Sequence, residues 1–412
     1  MSELRDGTFR SLAGFNYRLW ALGALVSNVG TWMQRTAQDW LVLTELTHHS
    51  ATALGTVMAL QFGPASLLVP FTGYAADRFN RRKLLLATQS LMALLALGLG
   101  LLTLLGWVRL WHVYAFALAQ GCTAAFDAPA RQTFVSELVP ESRISNAVAL
   151  NSSSFSAARM VGPALAGLLI GSVGSGWMFL INAASFVAVI GSLLLLRVSE
   201  LHRREPLVQT KRGLAQGVSY VWQRRELRAV MTMVLLMATF GFNLPIFIST
   251  MSVRAFGRGP SEFGLLSSLL AAGTLMGALL SARRSRPRGA LLVVGAALFG
   301  AGLALAAVMP SFLLFGLTLT GVGIAAQTFT TTANGTVQLA TEPYMRGRVM
   351  AIFLAIQLGT TLVGAPLVGL VADHYGPRWA LAVGALAGLL AALVGISQLQ
   401  PESPKAGTVR GD

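Results

Sequence analysis

The chain has 412 residues, of which 54% are hydrophobic and only 11% charged, with a mean hydropathy of +0.64. A soluble globular protein carries roughly 25% charged residues to face water, so this composition excludes an ordinary soluble enzyme. The 31 Lys and Arg against 16 Asp and Glu leave a formal charge of +15, which points to nucleic acid in a soluble protein but in a membrane protein records which side each loop occupies.

From Met1 to Tyr17 the chain is polar and lacks the apolar core and cleavage site of a secretory signal, so the first hydrophobic segment is expected to remain as a span. An apolar run of about 20 residues crosses the hydrocarbon core as a helix. Such runs fall at 18–44, 51–75, 84–106, 110–134, 146–171 and 177–197, then at 229–252, 262–282, 289–309, 311–338, 349–371 and 379–398. They predict an all-α integral membrane protein of twelve transmembrane helices in two pseudo-symmetric six-helix bundles. The bundles are residues 1–197 and 229–398, joined by a cytoplasmic linker at 198–228 and followed by a cytoplasmic tail at 399–412.

Charge tests the layout. With both termini cytoplasmic, 25 of the 31 basic residues fall in or beside inside segments, and outside loops hold only Arg109, Arg254, Arg258 and Arg378. Cytoplasmic loops are expected to be the basic ones. Two arginines remain within spans, Arg35 and Arg159.

The halves repeat at an offset of 202 residues: Gly162, Gly167, Gly174 and Trp177 match Gly364, Gly369, Gly376 and Trp379. Arg81 and Arg82 match Arg283 and Arg284 in the same way. Duplicated halves place a transporter's binding site between them, near the midplane. Cys122 is the only cysteine, and neither it nor the five histidines has metal-ligand spacing. No GxxxxGK[ST] loop is present to use ATP directly, and no nucleophile–base constellation suggests catalysis.

Between the second and third runs the sequence reads Gly73-Tyr-Ala-Ala-Asp77-Arg78-Phe-Asn-Arg81-Arg82-Lys83. This resembles the signature loop of the major facilitator superfamily, with Asn80 where that family most often has Gly. The matching loop in the second half keeps its basic cluster and lacks the Gly and the Asp. Residues 28–34, 128–132, 146–152 and 159–167 are similar to the subgroup of the enterobactin exporter and macrolide-efflux-like proteins. That resemblance implies the major facilitator fold and efflux of an amphipathic small molecule, such as a drug or siderophore, driven by inward proton flow. It also implies that Gly73, Asp77, Arg78, Arg81, Arg82 and Asp127 form a conformational latch. Asp77 would accept hydrogen bonds from a helix N-terminus in the other bundle, and Arg78, Arg81 or Arg82 would pair with Asp127.

Charges inside a bilayer are costly and need a reason. Asn28, Thr31, Arg35 and Asp39 are spaced by 3, 4 and 4 and share a helix face. Arg35 and Asp39 form an i,i+4 pair that partly neutralises itself. In the implied fold spans 1 and 5 are neighbours, so Asp39 is expected to reach Arg159, and its protonation to release that arginine and couple proton entry to substrate release. Spans 7 to 12 contain no interior Asp, Glu, Lys or Arg, so an acidic coupling residue must sit in the first half.

Uncharged polar residues are expected to line the cavity. They are Gln327, Thr331, Asn334 and Gln338 on one face of span 10, Gln357 in span 11, Asn243 in span 7, and Gln61 and Gln120 in the first half, beside the span 1 pair Asn28 and Thr31. Trp32, Met58, Phe62, Phe240 and Phe329 suit an apolar substrate. Gly162-Pro163 resembles the superfamily's antiporter motif, and with Gly364 and Pro366 it is expected to act as a hinge. The partners expected are a small molecule, protons and lipid, with no nucleic acid, no cofactor and a monomeric state in the inner (cytoplasmic) membrane. An importer, a lipid translocator and a non-transporting receptor or assembly subunit are the alternatives.

Overall fold

Where water is absent, a chain must close its backbone hydrogen bonds within each segment, and long apolar runs therefore become helices. The computed structural model describes residues 9–68, 71–72, 78–202, 214–282 and 289–399, and every regular element among them is helical. The first group is α1 (Phe15–Trp40), prolonged by a π-helical stretch Leu41–Leu46, then α2 (Ala51–Leu67), α3 (Arg81–Leu104), α4 (Leu110–Glu137), α5 (Ile144–Val173) and α6 (Ser175–Leu194). A short α7 (Leu214–Gln223) lies in the linker. The second group is α8 (Arg225–Leu236), α9 (Leu244–Thr250), α10 (Pro260–Ala282), α11 (Gly289–Val308), α12 (Phe312–Ala340), α13 (Pro343–Gly359), α14 (Thr361–Tyr375) and α15 (Pro377–Gln398).

Nine stretches among the described residues are long and apolar enough to cross a membrane. The three expected spans not among them are those of α1, α2 and α4. α1 and α4 carry polar faces, including Gln34, Arg35 and Asp39 on one and Asp127 and Arg131 on the other. α2 is described over only 17 residues.

Two expected spans are interrupted. α8 and α9 are separated by a π-helical stretch (Met237–Gly241) and by Pro245, which has no N–H to continue the ladder. The break between α13 and α14 falls at Thr360, six residues before Pro366, which sits inside α14. Pro163 likewise sits inside an unbroken α5.

The repeat marks crossing points. A Cβ at Gly162 would lie 2.5 Å from Trp32 Cβ on α1, and at Gly364 it would strike the Thr239 carbonyl, so each of these glycines lets two helices of one bundle touch. Gly167 and Gly369 do the same between bundles: a Cβ there would lie 2.6 Å from Pro260 O and 2.5 Å from Ala51 O. Gly174 and Gly376 end α5 and α14 at φ 88° and 97°, backbone that Gly adopts without a steric penalty. Gly162 and Gly364 are thus packing positions in this structure, and the break in the second half lies elsewhere.

All inter-bundle hydrogen bonds named among the described residues lie from mid-depth toward one end. We call it the far end, where α1 runs out and α2 begins; the near end holds the start of α1 and the linker. At the near end α7 docks on α13. Arg348 donates to Gln216 at 3.0 Å, the Glu342 N–H donates to the Tyr220 hydroxyl at 3.1 Å, and Arg224 pairs with Glu342. The Arg224 hydrogen bond, with a second from Tyr344, holds the Glu342 carboxyl below the usual carboxylate range.

Candidate functional site at mid-depth and its two ends

The α1 face splits in two. Asn28 is buried and accepts from Arg131 at 3.2 Å, and the Thr31 hydroxyl turns back to the Ser27 carbonyl at 2.9 Å. Further along, the Arg35 guanidinium lies 4.8 Å from the Trp32 ring and 5.4 Å from Phe62, while Arg159 of α5 lies 5.4 Å from the same Trp32 ring. Phe155 meets Trp32 edge-on at 5.8 Å. Arg35 is within electrostatic reach of both Asp39 and Arg159.

The expected Arg35–Asp39 and Asp39–Arg159 ion pairs do not form among the described residues. The cause is direction: helical side chains lean toward the N-terminus. Arg35 therefore runs back onto Trp32, one turn before it, where the aromatic face attracts the cation. Asp39 lies one turn the other way.

At the near end, Gly73 and Asp77 lie outside the described residues, and Arg78 is exposed. Arg81 pairs with Glu137, and Arg82 donates to the carbonyls of Leu193 at 2.7 Å and Leu194 at 3.2 Å. Asp127 is bound by Arg131 at 3.0 Å, the Thr88 hydroxyl at 2.8 Å and the Gln89 amide at 2.6 Å. The expected pairing of Asp127 with Arg81 or Arg82 is therefore corrected. Helices α3 and α4 run antiparallel, so the first turn of α3 meets Glu137, and Asp127 lies about 15 Å further along, level with Thr88.

Arg82 thus satisfies the carbonyl end of α6. Arg82→Gln is expected to lower stability by about 1 kcal/mol, read as a lower Tm in detergent with the two-ended conformational balance unchanged.

The far end carries a carboxylate that sequence reasoning missed. Asp373, near the end of α14, accepts from Ala51 N at 2.8 Å, Thr52 N at 2.9 Å, the Thr52 hydroxyl at 2.7 Å and the Ser50 hydroxyl at 3.1 Å. Arg254 pairs with it at 3.1 Å. A carboxylate of the second bundle thus caps the N-terminus of a helix in the first. The signal was available: the 202-residue offset sets Asp373 against Gly171, so a charge stands where the repeat has none. Across the other seam, Ser261 donates to Gly167 O at 3.2 Å and Ser268 to Met160 O at 2.9 Å, and Trp40 stacks on Phe263 at 6.1 Å.

In the second half, Gln327 donates to Thr331 at 3.0 Å and Gln338 to Asn334 at 2.5 Å along one face of α12, which stays partly exposed. Gln61, Gln120 and Gln357 are half-buried. Asn243 is corrected from a cavity residue: it is 1% exposed, and its amide donates to the Thr239 carbonyl at 2.8 Å, satisfying the backbone at the break before α9. Met58 and Phe329 are buried in the core, whereas Trp32 and Phe62 flank Arg35. A separate apolar cavity of about 720 Å³ opens between bundles beside Ser66, Leu67, Thr239, Ile352, Ile356 and Thr360. None of the expected polar residues lines it.

A family profile described as "Transmembrane secretion effector" matches residues 3–408. The chain belongs to this family of major facilitator superfamily transporters. The transporter is 26% identical over 353 residues to the staphyloferrin A transporter of Staphylococcus aureus (strain NCTC 8325 / PS 47), covering 84% of this chain and 87% of the relative. It is 27% identical over 368 residues to the multidrug efflux pump Tap of Mycolicibacterium fortuitum, covering 86% and 88%. The fold is similar to that of a POT family transporter solved in complex with 5-aminolevulinic acid, at a TM-score of 0.77 and 12% identity, over 93% of this chain and 96% of that one. The transporter is accordingly a multi-pass membrane protein that moves a small molecule, and not an enzyme.

Proposed function

We propose that this transporter exports an amphipathic small molecule by alternating access, driven by inward proton flow. The observation that carries the reading is the mid-depth group Trp32, Arg35, Asp39 and Arg159, placed on the near-end side of a far-end seal. The named activities of the relatives, a siderophore transporter and a multidrug efflux pump, agree with it. In this reading the near end is cytoplasmic, both termini lie there, and twelve spans in two bundles (1–197 and 229–398) cross the inner membrane as a monomer. The segments 198–228 and 399–412 are the linker and the tail. Asp77 latches the near end in one state as Asp373 seals the far end in the other. Pro163 and Pro366, each inside its helix, accommodate the exchange between states, while Gly162 and Gly364 hold neighbouring helices of one bundle in contact. Gln327, Thr331, Asn334, Gln338, Gln61, Gln120 and Gln357 line the path.

Asp39 carries the proton, and Arg35 and Arg159 are the cations that respond to its charge. In inverted vesicles with an acidified lumen, a fluorescent amphiphile is expected to accumulate faster than without the gradient. Asp39→Asn should remove that dependence while gradient-free exchange continues. Accumulation only in right-side-out vesicles makes the chain an importer, and a surviving gradient dependence in Asp39→Asn assigns the proton to another group.

A further inference from the structure

Among the described residues, the other arginines at or within the helical bundles' polar sites have visible partners: Arg131 has Asp127, Arg81 has Glu137, and Arg254 has Asp373. Arg35 and Arg159 do not. Neither makes a hydrogen bond or ion pair, and the Nε of Arg35 is buried without any partner. The indole Nε1 of Trp32, the ring both cations share, is buried and unpartnered as well. Three donor groups from two helices thus gather at one ring with no acceptor among them.

Buried donors left unmade are costly, and two guanidinium groups on one ring repel each other at low dielectric. An aromatic face offsets only part of that. Asp39 lies within electrostatic reach of Arg35 and, when ionised, removes one of the two charges. The group then stands at a net charge of plus one. What completes it is a single negative charge with more than one oxygen, because a guanidinium presents its N–H groups as a planar fork matched to a carboxylate.

The surroundings specify the rest of the ligand. Phe62 lies against Arg35, and Phe155, 47% exposed, stands edge-on to Trp32. The geometry points to a binding site for the carboxylate of an amphipathic molecule, clamped by Arg35, Arg159 and the Trp32 N–H, with its apolar body on Phe62 and Phe155. This substrate class rests on the transport reading above and is independent of which gradient drives the step.

The test is a binding measurement on the full-length purified protein at one fixed pH. Dansyl-phenylalanine, an anion, is compared with its neutral carboxamide by energy transfer from tryptophan. The anion is expected to bind about tenfold or more tightly than the amide, the value of one hydrogen-bonded charge. Arg35→Gln and Arg159→Gln should each erase most of that preference, the anion losing far more affinity than the amide in variants that keep a cooperative thermal transition, and Arg35→Lys should keep part of it. Equal or undetectable binding of the two probes overturns the site, as does a preference that survives in both Gln variants. Failure of transport is read separately in the vesicles: a carboxylate preference without movement of either probe strikes the export reading and leaves the site standing.

Discussion

Asp373→Asn is expected to open the far end of the molecule. The carboxylate collects two backbone N–H groups, two hydroxyls and a guanidinium, all but Arg254 from the other bundle. An amide of the same shape keeps one acceptor oxygen and turns an NH₂ toward groups that only donate or prefer to donate. It also removes the negative charge facing the positive end of α2. Hydrogen bonds to a charged group contribute about 1.5–3 kcal/mol, so the loss should shift the balance of closed to open by roughly 10- to 200-fold. Spin labels at the far ends of α2 and α14 would show this as a longer distance in the Asn variant, with the near ends drawing together. An unchanged distance distribution in that variant removes Asp373 from the seal. Among the described residues the opposite seam between α5 and α10 has only neutral hydrogen bonds, at Ser261 and Ser268, so the Asp373 side is the one with charge to lose.

The fold was largely legible because each determinant is local or periodic. Apolar runs set most helices to within a few residues, and the glycines that mark the repeat sit in the structure where helices touch, at Trp32, Thr239, Pro260 and Ala51. The partners of charged groups were not legible. Asp127 and Arg131 are four residues apart, visible in the sequence, yet by spacing alone Arg81 and Arg82 are equally available, and the antiparallel register of α3 and α4 decides their depth. Asp39 and Arg35 show the converse: ideal spacing on one helix, with the arginine drawn away by Trp32 on its N-terminal side. Asn243 looked like a cavity amide because a broken helix looks like any other polar interruption until its free carbonyl is located. Asp373 was passed over because it lies just past the expected end of span 11, where a charge has no cost that needs explaining.

Replacing Asp127, held at depth within one bundle, should cost stability and leave the conformational balance unmoved. Its carboxylate is buried, with Arg131 as its counter-charge and Thr88 and Gln89 as further donors. Removing one member of such a pair leaves the other as an uncompensated buried charge, at a cost of about 3–5 kcal/mol. Asp127→Ala should therefore lower the Tm in detergent strongly. Arg131→Ala should cost less, because Asp127 would keep two donors while Arg131 alone would keep one acceptor, the oxygen of Asn28 at 3.2 Å, beside the face of the Trp20 ring. The order is what tests the assignment. A latch residue exchanges partners between conformations, so its replacement moves the conformational balance and leaves unfolding little changed. A residue fixed within one bundle does the reverse, and the α3–α4 contacts place Asp127 in that class. Far-end distances in Asp127→Asn should then match those of the unaltered protein, while Tm falls. If the distances shift and Tm does not, Asp127 belongs to the gate after all, and its bond to Arg131 is one half of a switch.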